Sequence, residues 1–207
     1  GIANPKRLKN LLSVRRVKNF LEIIAERGPR GDSALQRYES ILKTDDGARS
    51  LIATSKGVDE DIAPDRIVLR TSSDPIVSVV IPVFNQAKYT LNCLKSISEN
   101  LPKVPFEVIV IDDCSSDETP ELLEEIRGLR ILRNSTNLGF LRSCNVAAKS
   151  CEGHFIFLLN NDTQVTDGWL DALVNVFDRY EDALIVGSKL VYPDGSLQEA
   201  GGIIWQD

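Results

Sequence analysis

Apolar runs that stop at polar residues recur along the C-terminal two thirds of the chain. The first run, at 77–83, is rich in β-branched residues, and further runs follow at 106–111, 129–132, 155–159 and 183–190. Short apolar runs bounded by polar residues favour buried strands. We therefore predict five strands, and we expect the aromatic-rich run at 155–159 to be fully buried.

Helical spacing separates these runs. Apolar residues recur with a helical period at 89–100, 140–150 and 166–180. Another helix is predicted to begin at Thr119, because Thr is a good N-cap and Pro120 suits the first turn. Thr166 is a comparable cap. Strands that alternate with helices of this length indicate βαβ units, so the predicted fold class is α/β with a mostly parallel sheet flanked by helices.

The N-terminal part differs in charge and pattern. Residues 1–43 contain ten Lys and Arg against four Asp and Glu, although the whole chain has a net charge of −6. Their apolar spacing predicts a basic amphipathic helix ended by Gly28 and Pro29, and a second helix at 33–43. We interpret residues 1–74 as a basic helical extension and a linker of loosely packed turns, and residues 75–207 as the main domain.

A basic amphipathic helix is compatible with two environments. It can pack on its own domain or on a neighbouring protein, which is the interpretation we favour. The alternative is a peripheral contact of residues 1–27 with an anionic membrane surface. We do not predict nucleic acid as a partner.

Composition narrows the function classes. No apolar run approaches the roughly 18 residues of a membrane span, and four cysteines without a CxxC pair, with His154 as the single histidine, give no zinc motif. The chain has no GxSxG elbow and no P-loop, and no glycine follows the first strand as a dinucleotide site requires. The chain begins with Gly and lacks Met, so we expect a segment of a longer protein, incomplete at both ends.

The candidate chemistry lies at the ends of two predicted strands. Asp112 and Asp113 follow the second strand, and Asp162 follows the fourth strand after two amides. In an open α/β sheet the carboxyl ends of the strands face the ligand crevice. A carboxylate there can accept a hydrogen bond from a base or a ribose, and Asp162 suits a hard cation whose remaining ligands are phosphate and water.

Four sequence segments follow one another at a regular spacing, namely VSVVIPVFN (77–85), EVIVIDDCSSDET (107–119), NSTNLGFLRSCNVA (134–147) and FIFLLNNDTQV (155–165). In this order and spacing they resemble the donor-binding half of inverting family 2 nucleotide-sugar glycosyltransferases with the GT-A fold. The resemblance covers about residues 75–205. The tail at 187–202 is most similar to the bacterial branch that builds surface polysaccharides, including rhamnosyltransferase-like members.

The resemblance implies roles for residues of the first three segments. The turn formed by Pro82, Val83, Phe84 and Asn85 would pack against the nucleoside. Asp113 would recognise the base, and Asp112 would support the turn beside it. The segment near the ribose and diphosphate would contain Asn137, Gly139 and Asn145, together with Arg142, which could meet a phosphate.

The fourth segment departs from the family pattern. Asp162 matches the last acid of the Asp-X-Asp motif, which holds Mn²⁺ or Mg²⁺ against the diphosphate, but Asn160 and Asn161 fill the first two positions. An amide brings no charge, so we expect metal binding only with nucleotide present. The catalytic base is expected beyond Asp207; Glu199 and Asp207 are the acids nearest to that position.

The resemblance implies that a sugar moves from a nucleotide-diphosphate donor (UDP, dTDP or GDP) to a glycan or lipid-linked acceptor with inversion. We expect this segment to bind donor but to transfer sugar poorly or not at all. We expect the protein to be cytoplasmic and to lie at the inner face of the cell membrane. We also expect that it can form a homodimer.

Two other classes stay open at this point. Acids at the ends of two strands also occur in Mg²⁺-binding receiver-like phosphoacceptor domains, although Lys189 lies one strand too early for that pattern. The chain could also be a non-catalytic remnant that binds partners through its basic helices.

Overall fold

The computed structural model describes residues 57–59, 61–180, 183–193 and 195–199. The two predicted N-terminal helices lie outside these residues. The elements are β1 (Val77–Val83), α1 (Ala87–Glu99), β2 (Phe106–Asp112), α2 (Thr119–Glu124), β3 (Arg130–Arg133), α3 (Phe140–Ala148), β4 (Phe155–Leu158), α4 (Trp169–Arg179), β5 (Leu190–Val191) and β6 (Leu197–Glu199). No helix in the described ranges is long and apolar enough to cross a membrane.

The main sheet is parallel, as the alternation of strands and helices predicts. Its strand order is β3-β2-β1-β4, and Val77 of β1 pairs with Phe106 of β2 and with Phe155 of β4. Every residue of β1 and β2 is buried. Strands covered on both faces are near-continuous apolar runs, which explains why these two strands could be predicted closely.

Helices cover both faces of the sheet and form two apolar clusters. One cluster joins alternate residues of β1 with Leu94 and Ile97 of α1 and Leu170 of α4. The second cluster joins Val80 and Ile109 to residues of α3 and the turn that follows it. The result is a three-layer α/β arrangement whose strand ends are free to form a site.

The strand β4 corrects one prediction. The apolar run at 155–159 was expected to be fully buried, but the residues of β4 are half-buried and Leu158 is 49% exposed. The reason is its position at the edge of the described sheet, where one side of the strand has no neighbour.

The predicted fifth strand at 183–190 is also wrong. Residues 183–189 form no strand, and only Leu190–Val191 pairs, antiparallel with Leu197–Glu199 in a separate two-stranded sheet. Within this run Ile185 is 78% exposed. An apolar run forms a strand only when a partner strand satisfies its backbone groups, and the described residues provide none for 183–189.

Part of the predicted linker that the structure describes packs into the core. Ile67 and Leu69 are 2% and 3% exposed and belong to the main core. The Leu69 N–H donates to the Arg127 carbonyl at 2.9 Å. Gly128 permits this approach, because its φ is +81° and a Cβ there would lie 1.9 Å from the Leu69 oxygen. Ile67 and Leu69 are held in the core although most of the residues around them are polar. The expectation of loosely packed turns is therefore wrong for residues 67–69.

The helix starts differ slightly from prediction. The helix α2 begins at Thr119 with Glu118 at the cap position, and the Asp117 carboxylate accepts the Thr119 N–H at 3.1 Å. The helix α4 begins at Trp169, three residues after the predicted Thr166 cap. Gly168 at its cap position has a φ of +71°, a left-handed conformation that glycine adopts without strain.

Candidate functional site at the carboxyl edge of the sheet

Because β1, β2 and β4 are parallel neighbours, their carboxyl ends lie at one edge of the sheet. Three non-glycine residues at this edge have left-handed backbone, namely Asn85, Gln86 and Cys114, with φ of 56°, 64° and 68°. Such conformations are uncommon and cluster at ligand sites, where the surrounding structure holds them. The backbone therefore points to this edge as the candidate site.

The turn after β1 is tied to the turn after β2. The Asn85 N–H donates to the Ser115 hydroxyl at 2.7 Å, and the Asn85 side-chain oxygen accepts the Ser116 N–H at 2.8 Å. The Asp113 N–H donates to the Val83 carbonyl at 2.7 Å. These bonds fix two adjacent strand ends relative to each other. The Asn85 side-chain amide therefore stabilises the turn after β2.

The four residues expected to pack on the nucleoside have different surroundings. Pro82 and Val83 are buried in β1, and Asn85 is half-buried. Phe84 is 50% exposed at the carboxyl edge. Of this turn, Phe84 is the residue whose side chain offers an apolar surface to a ligand.

Asp112 is directed into the protein. It is 1% exposed, and one of its carboxylate oxygens accepts the Ser115 N–H at 2.8 Å. The other oxygen lies 3.2 Å from the Arg133 Nε, close enough for an ion pair but without hydrogen-bond alignment. Arg133 also donates to the Ser115 carbonyl at 3.0 Å. Asp112 thus stabilises the turn and is not presented to a ligand.

Asp113 joins β2 to the segment before α3. Its Oδ1 accepts the Asn134 amide and the Leu138 N–H, both at 2.8 Å, and its Oδ2 accepts the Gly139 N–H at 2.8 Å. Oδ2 thus accepts one of these hydrogen bonds, whereas Oδ1 accepts two. Asp113 is only 4% exposed, so a ligand must come close to the backbone to reach it.

The environment keeps Asp113 ionised. Burial by itself would raise the pKa of this carboxyl, but the hydrogen bonds from Leu138, Asn134, Ser143 and Gly139 outweigh burial and hold the pKa below its ordinary value. Hydrogen bonds to a charged form favour that form. A charged acceptor is therefore present at the carboxyl edge at neutral pH.

The segment at 135–142, which we name the donor segment, runs from the end of β3 into α3. Asn137 and Arg142 within it are exposed, and Asn145 on α3 is half-buried. Gly139 has a φ of +79° at the cap position of α3. A Cβ at Gly139 would meet no atom within 4 Å, so the structure leaves open space beside this backbone.

Asp162 lies in the turn that follows β4. Asp162 and Asn160 are exposed, whereas Asn161 is half-buried and donates to the Thr90 hydroxyl at 3.0 Å. The Leu159 N–H donates to the Val80 carbonyl at 3.0 Å and extends the pairing of β4 with β1. The exposed carboxylate of Asp162 thus lies in the turn at the carboxyl end of the strand that pairs with β1.

The side chains around Asp162 provide only some of the ligands that a divalent cation requires. Among the described residues no group of three or more His, Cys, Asp and Glu could hold a metal. The nearby Cys93 is no thiolate ligand, because burial above all, with a contribution from the Asp162 charge, raises its pKa to about 12. One exposed carboxylate with neighbouring amide oxygens suits a Mg²⁺-type ion that takes its remaining ligands from phosphate and water.

The structure also shows residues that the sequence did not single out. Asn134 bridges Asp113 and Ser143, and Arg133 pairs with Asp112. The sequence alone does not distinguish Asn134 and Arg133 from other polar residues, because their roles depend on the side chains that they contact in the folded protein. For Glu199 the structure describes only the backbone and Asp207 lies outside the described residues, so no catalytic base is assigned.

An open parallel sheet, with acids and left-handed turns at its carboxyl edge, defines an α/β protein with its ligand site at that edge. Comparison with known families gives the particular class. Residues 78–205 match the family described as glycosyl transferase family 2. The chain belongs to this family, and the receiver-domain alternative is therefore wrong.

The chain is similar to poly(ribitol-phosphate) beta-N-acetylglucosaminyltransferase TarS of Staphylococcus aureus, with 34% identity over 54% of this chain and 21% of the relative. It is 30% identical to glycosyltransferase AglE of Haloferax volcanii over 60% of this chain and 43% of that protein. The crystal structure of S. aureus TarS 1-349 in complex with UDP has 32% identity and a TM-score of 0.46, over 51% and 32% of the two chains. The chain thus spans less than half of the length of each of these relatives.

Proposed function

We propose that this chain is the donor-binding part of a glycosyltransferase and binds a nucleotide-diphosphate sugar at the carboxyl edge of its sheet. The observation that carries the proposal is the convergence of Asp113, the donor segment and Asp162 on neighbouring strand ends. The family assignment supports the same activity, and the relatives TarS and AglE are named as glycosyltransferases.

The charges and contacts support a division of roles. Asp113 Oδ2 accepts an N–H from the base, and Phe84 packs against the nucleoside. Uracil, thymine and guanine carry a ring N–H that this carboxylate can accept, whereas the corresponding cytosine nitrogen is an acceptor and cytosine offers only its exocyclic amino group. The donor segment and Asn145 lie along the ribose and diphosphate, with Arg142 available to a phosphate. We therefore propose a UDP-, dTDP- or GDP-linked donor, as the family resemblance implies.

The diphosphate end of the donor is assigned to the turn after β4. Asp162, with the amide oxygens of Asn160 and Asn161, would hold Mn²⁺ or Mg²⁺ together with the diphosphate. When bound, such an ion stabilises the negative charge that develops on the leaving diphosphate. An acceptor hydroxyl of a glycan or lipid-linked substrate displaces the nucleotide at the anomeric carbon with inversion, and its proton goes to a base outside the described residues.

A thermal-shift panel tests this proposal. UDP, dTDP, GDP and CDP are each added with and without Mn²⁺ to the chain. A ligand at about 100 times its Kd stabilises a fold by about 2.7 kcal/mol, which is several degrees. We expect this shift for one of the first three nucleotides, larger with Mn²⁺, and a much smaller shift for CDP.

Two variants provide the matched comparison. Asp162→Ala is expected to abolish the additional shift given by Mn²⁺, whereas Asp178→Ala, which removes an exposed carboxylate from α4, should leave the shift unchanged. If no nucleotide stabilises the wild-type chain, donor binding is refuted. The non-catalytic interaction remnant would then be the better account of this chain.

A further inference from the structure

A buried ring of three side chains lies beneath the donor segment. The Asn134 side-chain nitrogen donates to Asp113 Oδ1 at 2.8 Å and to the Ser143 hydroxyl at 3.0 Å. Ser143 in turn favours the ionised form of Asp113 and contributes to its lowered pKa, and we name these three side chains the ring. Asp113, Asn134 and Ser143 are 4%, 8% and 0% exposed. Both amide hydrogens of Asn134 are therefore used in a place that solvent scarcely reaches.

The ring connects three elements that meet at the carboxyl edge. Asp113 follows β2, Asn134 follows β3 and Ser143 lies in α3. The Asn134 N–H also donates to the Asp112 carbonyl at 2.9 Å, which continues the pairing of β2 and β3. Asn134 is consequently fixed by its backbone as well as by its side chain.

The ring also determines the course of the donor segment. This segment lies between Asn134 and Ser143, so the ring holds both of its ends. The Leu138 and Gly139 N–H groups, which donate to Asp113, hold its middle. The side chains of Asn137 and Arg142 are exposed and do not anchor the segment in the core. Its position over the strand ends thus depends on a few buried hydrogen bonds.

We propose that Asn134 and Ser143 are positioning residues for nucleotide binding. They touch no donor atom but hold the donor segment where it can meet the ribose and diphosphate; this inference rests on the proposed function. A binding group needs supporting hydrogen bonds to stay within about 0.5 Å of its productive position. Loss of the ring should therefore cost affinity beyond any loss of stability.

The test compares two buried serines. Ser143→Ala removes the hydroxyl of the ring, and Ser78→Ala removes an equally buried hydroxyl that bonds to Glu107 and to the Gly153 N–H far from the donor segment. Calorimetric titration with Mn²⁺ and the nucleotide that stabilises the wild-type chain (UDP, dTDP or GDP) gives each Kd. We expect the Kd to rise about tenfold or more for Ser143→Ala, which is about 1.4 kcal/mol, and to stay within about twofold for Ser78→Ala at a similar loss of Tm.

Asn134→Ala removes two ring bonds and should weaken binding at least as much as Ser143→Ala. If this variant does not fold, Ser143→Ala decides the matter. Amide exchange at Leu138 and Gly139, measured where the fold is fully populated, should be faster in Ser143→Ala than in Ser78→Ala. An unchanged Kd and unchanged exchange in Ser143→Ala would overturn the positioning role. Absence of nucleotide binding to the wild-type chain is a different result, because it refutes the proposed function itself.

Discussion

At the scale of single residues, Asp113 and Asp162 show how position decides the task of a carboxylate. Asp113 is buried and accepts two backbone N–H groups and an amide, whereas Asp162 is exposed. A buried carboxylate with several donors is fixed in orientation and remains charged. An exposed carboxylate can coordinate a cation that is also bound to the phosphates of a ligand. The two residues are thus suited to opposite ends of the same ligand.

The lowered pKa of Asp113 predicts how stability depends on pH. A carboxyl whose pKa is lower in the folded state contributes stability above its unfolded-state pKa and loses it as the pH falls through the folded-state pKa. Asp113→Asn should therefore be less stable than wild type at pH 7. This difference should narrow below about pH 4. Urea unfolding between pH 7 and pH 2.5 measures it, and a difference that is independent of pH would contradict this account.

Thiol chemistry gives a second prediction for single residues. Cys114 is half-buried beside Asp113, whereas Cys93, Cys144 and Cys151 are buried. Burial raises the pKa of both Cys93 and Cys144, and a protonated, buried thiol is inert. A thiol reagent should therefore modify Cys114 first, and bound nucleotide should slow this modification. Peptide mapping after brief labelling checks it, and faster labelling of another cysteine would contradict the prediction.

At the scale of elements, the strands of the main sheet could be predicted from the sequence, but the exposure of the edge strand β4 could not. The strands β1 and β2 could be predicted closely because burial on both faces leaves a continuous apolar run. An apolar run does not show whether its strand will have neighbouring strands on both sides. The exposure of β4 and the absence of a strand at 183–189 could therefore not be predicted from the sequence. The acids at the strand ends were visible in sequence, but the ring around Asn134 depends on contacts between distant segments.

The contact of Leu69 with Arg127 and Gly128, in the turn after α2, gives a prediction at this scale. Gly128→Ala should strongly destabilise the fold, because the added Cβ would meet the Leu69 carbonyl oxygen and because φ at this residue is +81°. Left-handed backbone at a non-glycine residue alone costs about 1 kcal/mol or more. Gly57→Ala is the matched control, since nothing lies within 4 Å of its Cβ position. Equal urea midpoints for the two variants would contradict the packing described here.

At the scale of the whole molecule, the main sheet has two chemically different ends. The carboxyl edge carries the left-handed turns, the ionised Asp113 and the exposed Asp162. Towards the other end, a buried Glu107 bonds to Ser78 and Arg130. That network is satisfied internally, so it stabilises the fold without offering charge to a ligand. We propose that nucleotide and metal bind at the carboxyl edge.

Paramagnetic NMR tests this claim most directly. Mn²⁺ is added to the isotope-labelled chain with UDP, dTDP or GDP, and the broadening of each amide signal reports its distance from the ion. We predict the strongest broadening at 160–163, with shifts at Asp113 and Gly139 that need nucleotide, and little change at Glu107 and Arg130. Broadening centred on Glu107 and Arg130, or no change on addition of any nucleotide, would contradict the account.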